Sequence, residues 1–213
     1  MRIVVFSDVH GNLPALELML RDGGVPDQYI CLGDVVDYGP WSQECVELVS
    51  ELDNCVFLAG NHEDMFLENR FDGNNALARK FFDVCIGTFH RPELIRDLPD
   101  EYTVGEFLFT HTLEDRTIYP DTEIDIEQSV FIGHSHHQFD RVINGHHLYN
   151  VGSVGQNRKF INLISYAVFY PEHRRVDLRN LVYDEQVVIK EMKSRNYPQE
   201  CIDYYEGKQR FVQ

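Results

Sequence analysis

The first part of the chain repeats one local pattern three times, and this repetition limits the fold more than any other feature of the sequence. Each unit is a short apolar run, then a polar loop with glycine, then residues at helical spacing. The apolar runs lie at residues 3–6, 29–32 and 56–59, and the helical segments at 13–21, 41–52 and from 63 onward. Three such units predict a parallel sheet with right-handed crossovers, whose loops meet at one edge.

From residue 102 onward the sequence pattern favours strands. The turn residues Gly105-Glu106 and Asn144-Gly145 predict two hairpins, the second with a type I′ turn. Strands are predicted at residues 102–110, 129–132, 141–143 and 147–151, and a further hairpin at residues 163–182 around Pro171-Glu172. Helices are predicted at residues 74–98, with an interruption near Arg91-Pro92, and from 184 onward, with a break at Pro198. Because no linker separates the two parts, we expect one domain over residues 1–213, with two packed sheets flanked by helices.

Five polar segments directly follow predicted strands, and all contain residue types that bind metal ions. They are Asp8-Val9-His10, Gly33-Asp34, Gly60-Asn61-His62, Thr110-His111 and Gly133-His134-Ser135-His136. Each alone has an ordinary explanation, such as a turn aspartate or a helix cap. Together they offer oxygen and imidazole ligands, which suit manganese, iron(II), nickel or zinc. Two ions sharing a carboxylate, about 3.5–4 Å apart, can activate water for attack at phosphorus, so we predict a dinuclear phosphoesterase centre.

In their order along the chain, these motifs resemble those of the calcineurin-like metallophosphoesterase superfamily. The matching segments are SDVHGN at 7–12, GDVVDYGP at 33–40, GNHE at 60–63, His111 and GHSH at 133–136. The segment NVGSVG at 150–155 resembles the compact prokaryotic phosphodiesterase branch. The resemblance implies an α/β fold, a four-layer α/β/β/α sandwich with two central mixed sheets. It also implies hydrolysis of small phosphodiesters or nucleotide phosphoanhydrides, such as dinucleoside polyphosphates, by a metal-bridging hydroxide.

The resemblance further implies a role for each matching residue. The first ion would be held by Asp8, His10 and His136, the second by Asn61, His111 and His134, and both by Asp34. His62 would help to protonate the leaving oxygen, and Asp37 would orient His62. We expect manganese at both positions, with iron, nickel or zinc as alternatives.

One departure from the superfamily bears on the substrate. Tyr38 stands where protein phosphatases of the superfamily carry an arginine that binds phosphate. Arg158 is a candidate substitute for that contact, although a surface arginine is the simpler interpretation. His137, beside the GHSH motif, is a second candidate for contact with substrate.

Three other functions remain alternatives. A phosphomonoesterase or a phosphoprotein phosphatase would use the same centre, whereas a scaffold resembling the retromer subunit of this fold would be non-catalytic. The retromer subunit has a degraded metal site, so the intact histidines of the motifs in this chain disfavour the scaffold function.

The composition restricts the partners and the compartment. Acidic residues number 35 against 19 basic ones, and the net charge of −16 disfavours binding to nucleic-acid polymers or anionic membranes. The 5 cysteines form no C-x-x-C pair, and neither a signal peptide nor a membrane span is visible. We therefore expect a cytoplasmic protein that takes a small phosphorylated substrate. A homodimer through the β-rich C-terminal half is a further expectation.

Overall fold

Two five-stranded β-sheets form the centre of the protein in the computed structural model, which describes residues 1–212. Sheet A contains β1 (Ile3–Phe6), β2 (Gln28–Cys31), β3 (Cys55–Phe57), β9 (Leu163–Tyr170) and β10 (Arg175–Val182), in the order β10-β9-β1-β2-β3. Sheet B contains β4 (Glu101–Val104), β5 (Phe107–Thr110), β6 (Ser129–Ile132), β7 (Phe139–Ile143) and β8 (His146–Asn150), in the order β4-β5-β6-β8-β7.

Both sheets are mixed. In sheet A the strands of the three repeated units, β1, β2 and β3, are parallel as predicted, and β9 pairs with β1 in the antiparallel direction. In sheet B the strands β5, β6 and β8 are parallel, while β4 and β7 are antiparallel to their neighbours at the two edges. The predicted α/β class with two mixed sheets is confirmed.

Six α-helices accompany the sheets in residues 1–212. They are α1 (Leu13–Gly23), α2 (Ser42–Ser50), α3 (Asn61–Glu68), α4 (Ala76–Ile86), α5 (Gln186–Ser194) and α6 (Gln199–Gly207). The helix predicted over residues 74–98 ends before its predicted interruption near Arg91-Pro92, since α4 ends at Ile86 and only a 3₁₀ turn, Pro92–Leu94, follows. Gly87 at the C-cap and Pro92 explain the early end, because both residue types disfavour continuation of a helix. Within these residues no helix combines the length and the apolar character that a bilayer crossing needs.

The apolar core lies between the sheets and on the outer face of sheet A. In β1, Ile3 and Val5 pack toward sheet B while Val4 and Phe6 pack toward the helices, which is the alternation expected of a strand covered on both faces. On the outer face of sheet B the covering layer is the irregular segment 113–126, in place of a helix. This covering segment buries Ile118 and Ile126 against the sheet.

Glu63 connects the loops that follow β2 and β3. Its buried carboxylate accepts backbone N–H bonds from Gly60 (2.9 Å), Asp34 (2.7 Å), Val35 (2.8 Å) and Val36 (3.2 Å). One side chain therefore caps the start of α3 and also fixes the loop after β2.

Gly33 and Gly60 let the same two loops approach each other. A Cβ atom on Gly33 would lie 2.4 Å from the Gly60 nitrogen, and the φ angle of Gly33 is +101°. Glycine is required at position 33 for both reasons.

We expect Gly33→Ala to lower the free energy of unfolding by about 3 kcal/mol, because it adds a backbone clash to an unfavourable φ angle. Gly105→Ala is the matched control, since its φ angle is also positive (+59°) but nothing lies within 4 Å of the added Cβ. The control should lose about 1 kcal/mol. Urea unfolding measures both, and equal losses would contradict the importance of the close approach.

Glu63→Gln should lower the free energy of unfolding by about 2–4 kcal/mol, because an amide NH₂ replaces one acceptor and leaves buried backbone donors without a partner. Glu68→Gln, on the exposed C-terminal turn of the same helix, is the control and should change stability little. If the two variants unfold at the same urea concentration, Glu63 does not connect the loops as described.

Candidate metal centre

The polar motifs all lie where strands of the two sheets end. Asp8 follows β1, Asp34 follows β2 and Asn61 begins α3 after β3. From sheet B, His111 follows β5, and the GHSH segment at 133–136 follows β6. The loops of the two sheets touch, since the His134 N–H donates to Asp8 Oδ2 (3.0 Å).

The first cluster consists of Asp8, His10, Asp34 and His136, all buried. The Nε2 atoms of His10 and His136 are 3.1 Å apart, and His136 Nε2 lies 3.1 Å from Asp8 Oδ1. His10 Nε2 is 3.8 Å from both Asp8 Oδ1 and Asp34 Oδ2. These distances place four ligand atoms around one point.

The second cluster shares Asp34 with the first and adds His111 and His134. His111 Nε2 lies 3.2 Å from Asp34 Oδ2 and 3.1 Å from His134 Nδ1. Asn61 joins the cluster through its Oδ1, which is 3.3 Å from His111 Nε2. The structure thus brings together all seven residues that the resemblance implies as ligands, with Asp34 between the two groups.

Hydrogen bonds on the outer side of three histidine rings determine which ring nitrogen faces the centre with a lone pair. Nδ1 of His10 donates to the carbonyl of Val36 (3.0 Å), and Nδ1 of His136 donates to that of Gln156 (2.6 Å). Nδ1 of His111 likewise donates to a carbonyl, that of Leu32 (2.9 Å). A carbonyl can only accept, so in the neutral imidazoles the inward Nε2 atoms carry lone pairs.

Lone pairs that face one another fit a cation, and Asp8 gives a further sign of this fit. Its Oδ1 is buried and accepts no hydrogen bond within residues 1–212. A buried carboxylate oxygen without a donor is costly unless a cation compensates it. The donor set of carboxylate, amide and imidazole atoms therefore suits two divalent ions.

The pKa values of the ligands reflect this crowding. Burial lowers the pKa of His10 and His136, so both rings are neutral near pH 7. Burial also opposes protonation of His111, but the charge and hydrogen bond of Asp34 outweigh it and raise the pKa of His111 to about 10. A metal ion that binds His111 must replace that proton.

Five ligands have left-handed backbone conformations. Their φ angles are 56° at Asp8, 48° at His10, 55° at Asp34, 63° at His134 and 58° at His136. Asp and His adopt this region more readily than most residues, although it remains unfavourable. Strain of this kind persists where the surrounding structure holds it, and here it turns each side chain toward the centre.

His62 and Asp37 form a separate pair beside the second cluster. His62 Nδ1 lies 2.9 Å from Asp37 Oδ2, and His62 Nε2 lies 3.9 Å from Asp34 Oδ2. Burial opposes protonation, but the charge of Asp34 and the hydrogen bond with Asp37 raise the pKa of His62 to about 9. The carboxylate orients the ring so that Nε2 can deliver a proton into the cavity at the centre.

A cavity of about 150 Å³ opens over the two clusters. Its lining includes Thr117 and Tyr119 of the covering segment, which the sequence analysis did not identify. The Thr117 hydroxyl lies 3.0 Å from His134 Nε2. Nothing in the local sequence distinguishes these two residues from other loop residues, so only the folded structure places them here.

The two candidate substrate contacts lie in different places. Arg158 lines the cavity over the clusters, together with Asp34, His62 and His136. His137 lies outside that cavity, in a neighbouring one, with its ring 5.3 Å from that of Tyr119.

Several known proteins are similar to this chain in sequence or in structure. An uncharacterized protein of Methanocaldococcus jannaschii is 28% identical over 92% of this chain and 94% of its own length. Serine/threonine-protein phosphatase 7 of Arabidopsis thaliana is 30% identical over only 41% of this chain and 25% of its own length.

Two solved structures superpose over nearly the whole chain. A metallophosphoesterase from Sphaerobacter thermophilus has a TM-score of 0.77 at 27% identity, covering 97% of this chain and 98% of that one. A hypothetical protein from Pyrococcus horikoshii has a TM-score of 0.79 at 16% identity, covering 96% and 97%, and shows likeness of fold.

The profile of one family matches the part of the chain that carries all seven candidate ligands. That family, described as calcineurin-like phosphoesterase, matches residues 1–150. The family is one of metal-dependent phosphoesterases that use a dinuclear centre of divalent metal ions. With this match over more than half of its length, the chain belongs to the calcineurin-like phosphoesterase family.

Proposed function

We propose that this protein is a dinuclear metal-dependent phosphodiesterase that acts on small phosphodiesters or nucleotide phosphoanhydrides. The observation that carries the choice of a diester is the presence of a cavity on each side of the centre. A diester has two substituents on phosphorus, whereas a monoester has one and needs room on one side only.

The larger flanking cavity, of about 560 Å³, lies on the side of His62. It shares Asn61, His62 and His134 with the central cavity, and its apolar lining includes Met65 and Phe71. We place the leaving group on this side, since His62 lies between the two cavities and the protonating group must reach the leaving oxygen.

The second flanking cavity, of about 260 Å³, lies on the side of His136 and accommodates the substituent that stays on phosphorus. It shares His136 with the central cavity and is lined by His137, Lys159 and Phe160. The mixture of an aromatic ring, a cation and an imidazole fits a nucleoside or aryl group with a nearby phosphate. His137 is in this proposal a contact to the retained group.

Residues of this chain would supply the remaining steps. When bound, the two divalent ions, for which we propose manganese, acidify a water molecule and neutralise charge on the phosphoryl oxygens. Asp34 keeps the two ligand groups together. His62, oriented by Asp37, donates a proton to the leaving oxygen.

Comparing substrates tests the choice of a diester. Manganese-loaded protein should hydrolyse bis-p-nitrophenyl phosphate and diadenosine tetraphosphate faster than p-nitrophenyl phosphate, measured as kcat/KM on one preparation. Faster monoester hydrolysis would favour a phosphomonoesterase, and inactivity with manganese, iron, nickel and zinc would overturn the proposed function.

Asp34→Asn should remove metal and activity together, because the amide loses the negative charge of the shared carboxylate, whose Oδ2 faces both clusters. We expect kcat to fall by at least about a hundredfold. Metal content by mass spectrometry and turnover of bis-p-nitrophenyl phosphate measure the two effects. Asp53→Asn, at an exposed position, is the control. A variant that keeps two ions per chain would show that Asp34 does not bridge.

His62→Ala should keep the metal ions and lower kcat by about 10²–10⁴-fold, with the larger loss for diesters that have poor leaving groups. The matched control is His147→Ala, which removes a second histidine paired with a carboxylate, that of Asp140 at 2.8 Å, at a partly exposed position in sheet B. Loss of the ions in the His62 variant would show that His62 is a ligand. A loss of kcat independent of the leaving group would show that it is not the proton donor.

A further inference from the structure

Arg158 lies beside the candidate metal centre. Its backbone carbonyl accepts a hydrogen bond from Lys208 Nζ (2.8 Å), and its guanidinium carbon lies 5.9 Å from the centroid of the Tyr38 ring. The phenol of Tyr204 faces the same guanidinium. The side chain is half-buried and lines the central cavity with Asp34 and His136.

In the part of the chain that the structure describes, Arg158 lacks the carboxylate that pairs with each of two other half-buried arginines, Arg195 and Arg210. Arg195 pairs with Glu191 at 2.7 Å, and Arg210 pairs with Glu185 at 3.0 Å. Within residues 1–212, Arg158 has no carboxylate within 4.0 Å, and the groups that face it are neutral phenols. A partly desolvated cation without an anionic partner is unfavourable, so an anion that enters the cavity gains from its full charge.

The Tyr38 ring connects this cation to the rest of the site. It is 8% exposed, and its centroid lies 4.9 Å from that of His10 and 5.5 Å from that of His62. Tyr38 therefore contacts a candidate metal ligand, the proton donor and Arg158 at once.

We propose that Arg158, held on the Tyr38 ring, binds a non-bridging phosphoryl oxygen of the substrate and so determines affinity for the phosphate group. The proposal rests on the proposed function and extends it to recognition. The planar guanidinium can offer two parallel N–H donors to a phosphate, a geometry that lysine does not reproduce. The surface arginine that the sequence allowed as a simpler interpretation is thus replaced by a substrate contact.

Binding of inorganic phosphate tests the contact without any need for turnover. We expect Arg158→Gln to weaken phosphate binding to manganese-loaded protein by about tenfold or more, measured by calorimetry, with two manganese ions retained per chain. Arg158→Lys should give an intermediate affinity, because it keeps the charge and loses the paired donors. In hydrolysis the same variants should raise KM for bis-p-nitrophenyl phosphate more than they lower kcat.

The matched control is Arg175→Gln, since Arg175 also stacks on a tyrosine, with its guanidinium carbon 4.1 Å from the Tyr170 centroid, but lines none of the three cavities. The control should bind phosphate like the unmodified protein. Unchanged phosphate affinity in Arg158→Gln would overturn the proposal, as would equal losses in both variants. Should Arg158→Gln not fold, Arg158→Lys decides, and unchanged affinity there overturns the two-donor contact. Phosphate binding that depends on Arg158 in a protein that hydrolyses no ester would overturn the proposed function and leave the contact in place.

Discussion

The site depends on the close approach of hydrogen-bond acceptors, carboxylate oxygens and imidazole nitrogens, where the strand ends of the two sheets meet. Imidazole nitrogens converge with the carboxylates of Asp8 and Asp34 at 3.1–3.8 Å, and Asp8 Oδ1 accepts no hydrogen bond within residues 1–212. Their mutual repulsion must be opposed elsewhere. Backbone carbonyl groups accept hydrogen bonds from the outer nitrogens of the rings, and Glu63 connects two of the loops. Aromatic packing between the sheets, such as the stacking of Phe109 on Phe131 at 4.7 Å, stabilises the positions of the strand ends. The fold therefore supplies the rigidity, and divalent ions supply the missing positive charge.

Much of this arrangement could be predicted from the sequence because it is encoded locally. The repeated strand–loop–helix pattern predicts the parallel strands β1, β2 and β3, and the resemblance implied the seven ligand residues that the structure brings together. The position of β9 beside β1 is different, since it joins residues more than 150 positions apart and has no signature in either segment. The covering layer over sheet B was likewise not predicted, because an irregular segment has no periodicity to detect. The homodimer and the cytoplasmic location stay predictions.

The roles of single side chains were the least predictable part. Glu63 stood in the matching GNHE motif, yet its function as an acceptor for four backbone groups depends on a loop that lies 27–29 residues away in sequence. The simpler interpretation of the sequence placed Arg158 on the surface. Its half-burial and its neutral neighbours depend on Tyr38 and on Tyr204 in the last helix, which are distant in sequence. Long-range environment of this kind decides what an arginine can bind, and the local sequence does not contain it.

The covering segment 113–126 has two structural roles, and residues for both alternate within the same short stretch. Ile118 and Ile126 seal the outer face of sheet B, while Thr117 and Tyr119, from the same stretch, line the central cavity. Changes of this segment that alter specificity must therefore keep the apolar outer face of sheet B covered. A segment transplanted from a relative must therefore bring its buried apolar residues together with the residues that line the cavity. Without them the apolar outer face of sheet B would be exposed, and the protein would tend to aggregate.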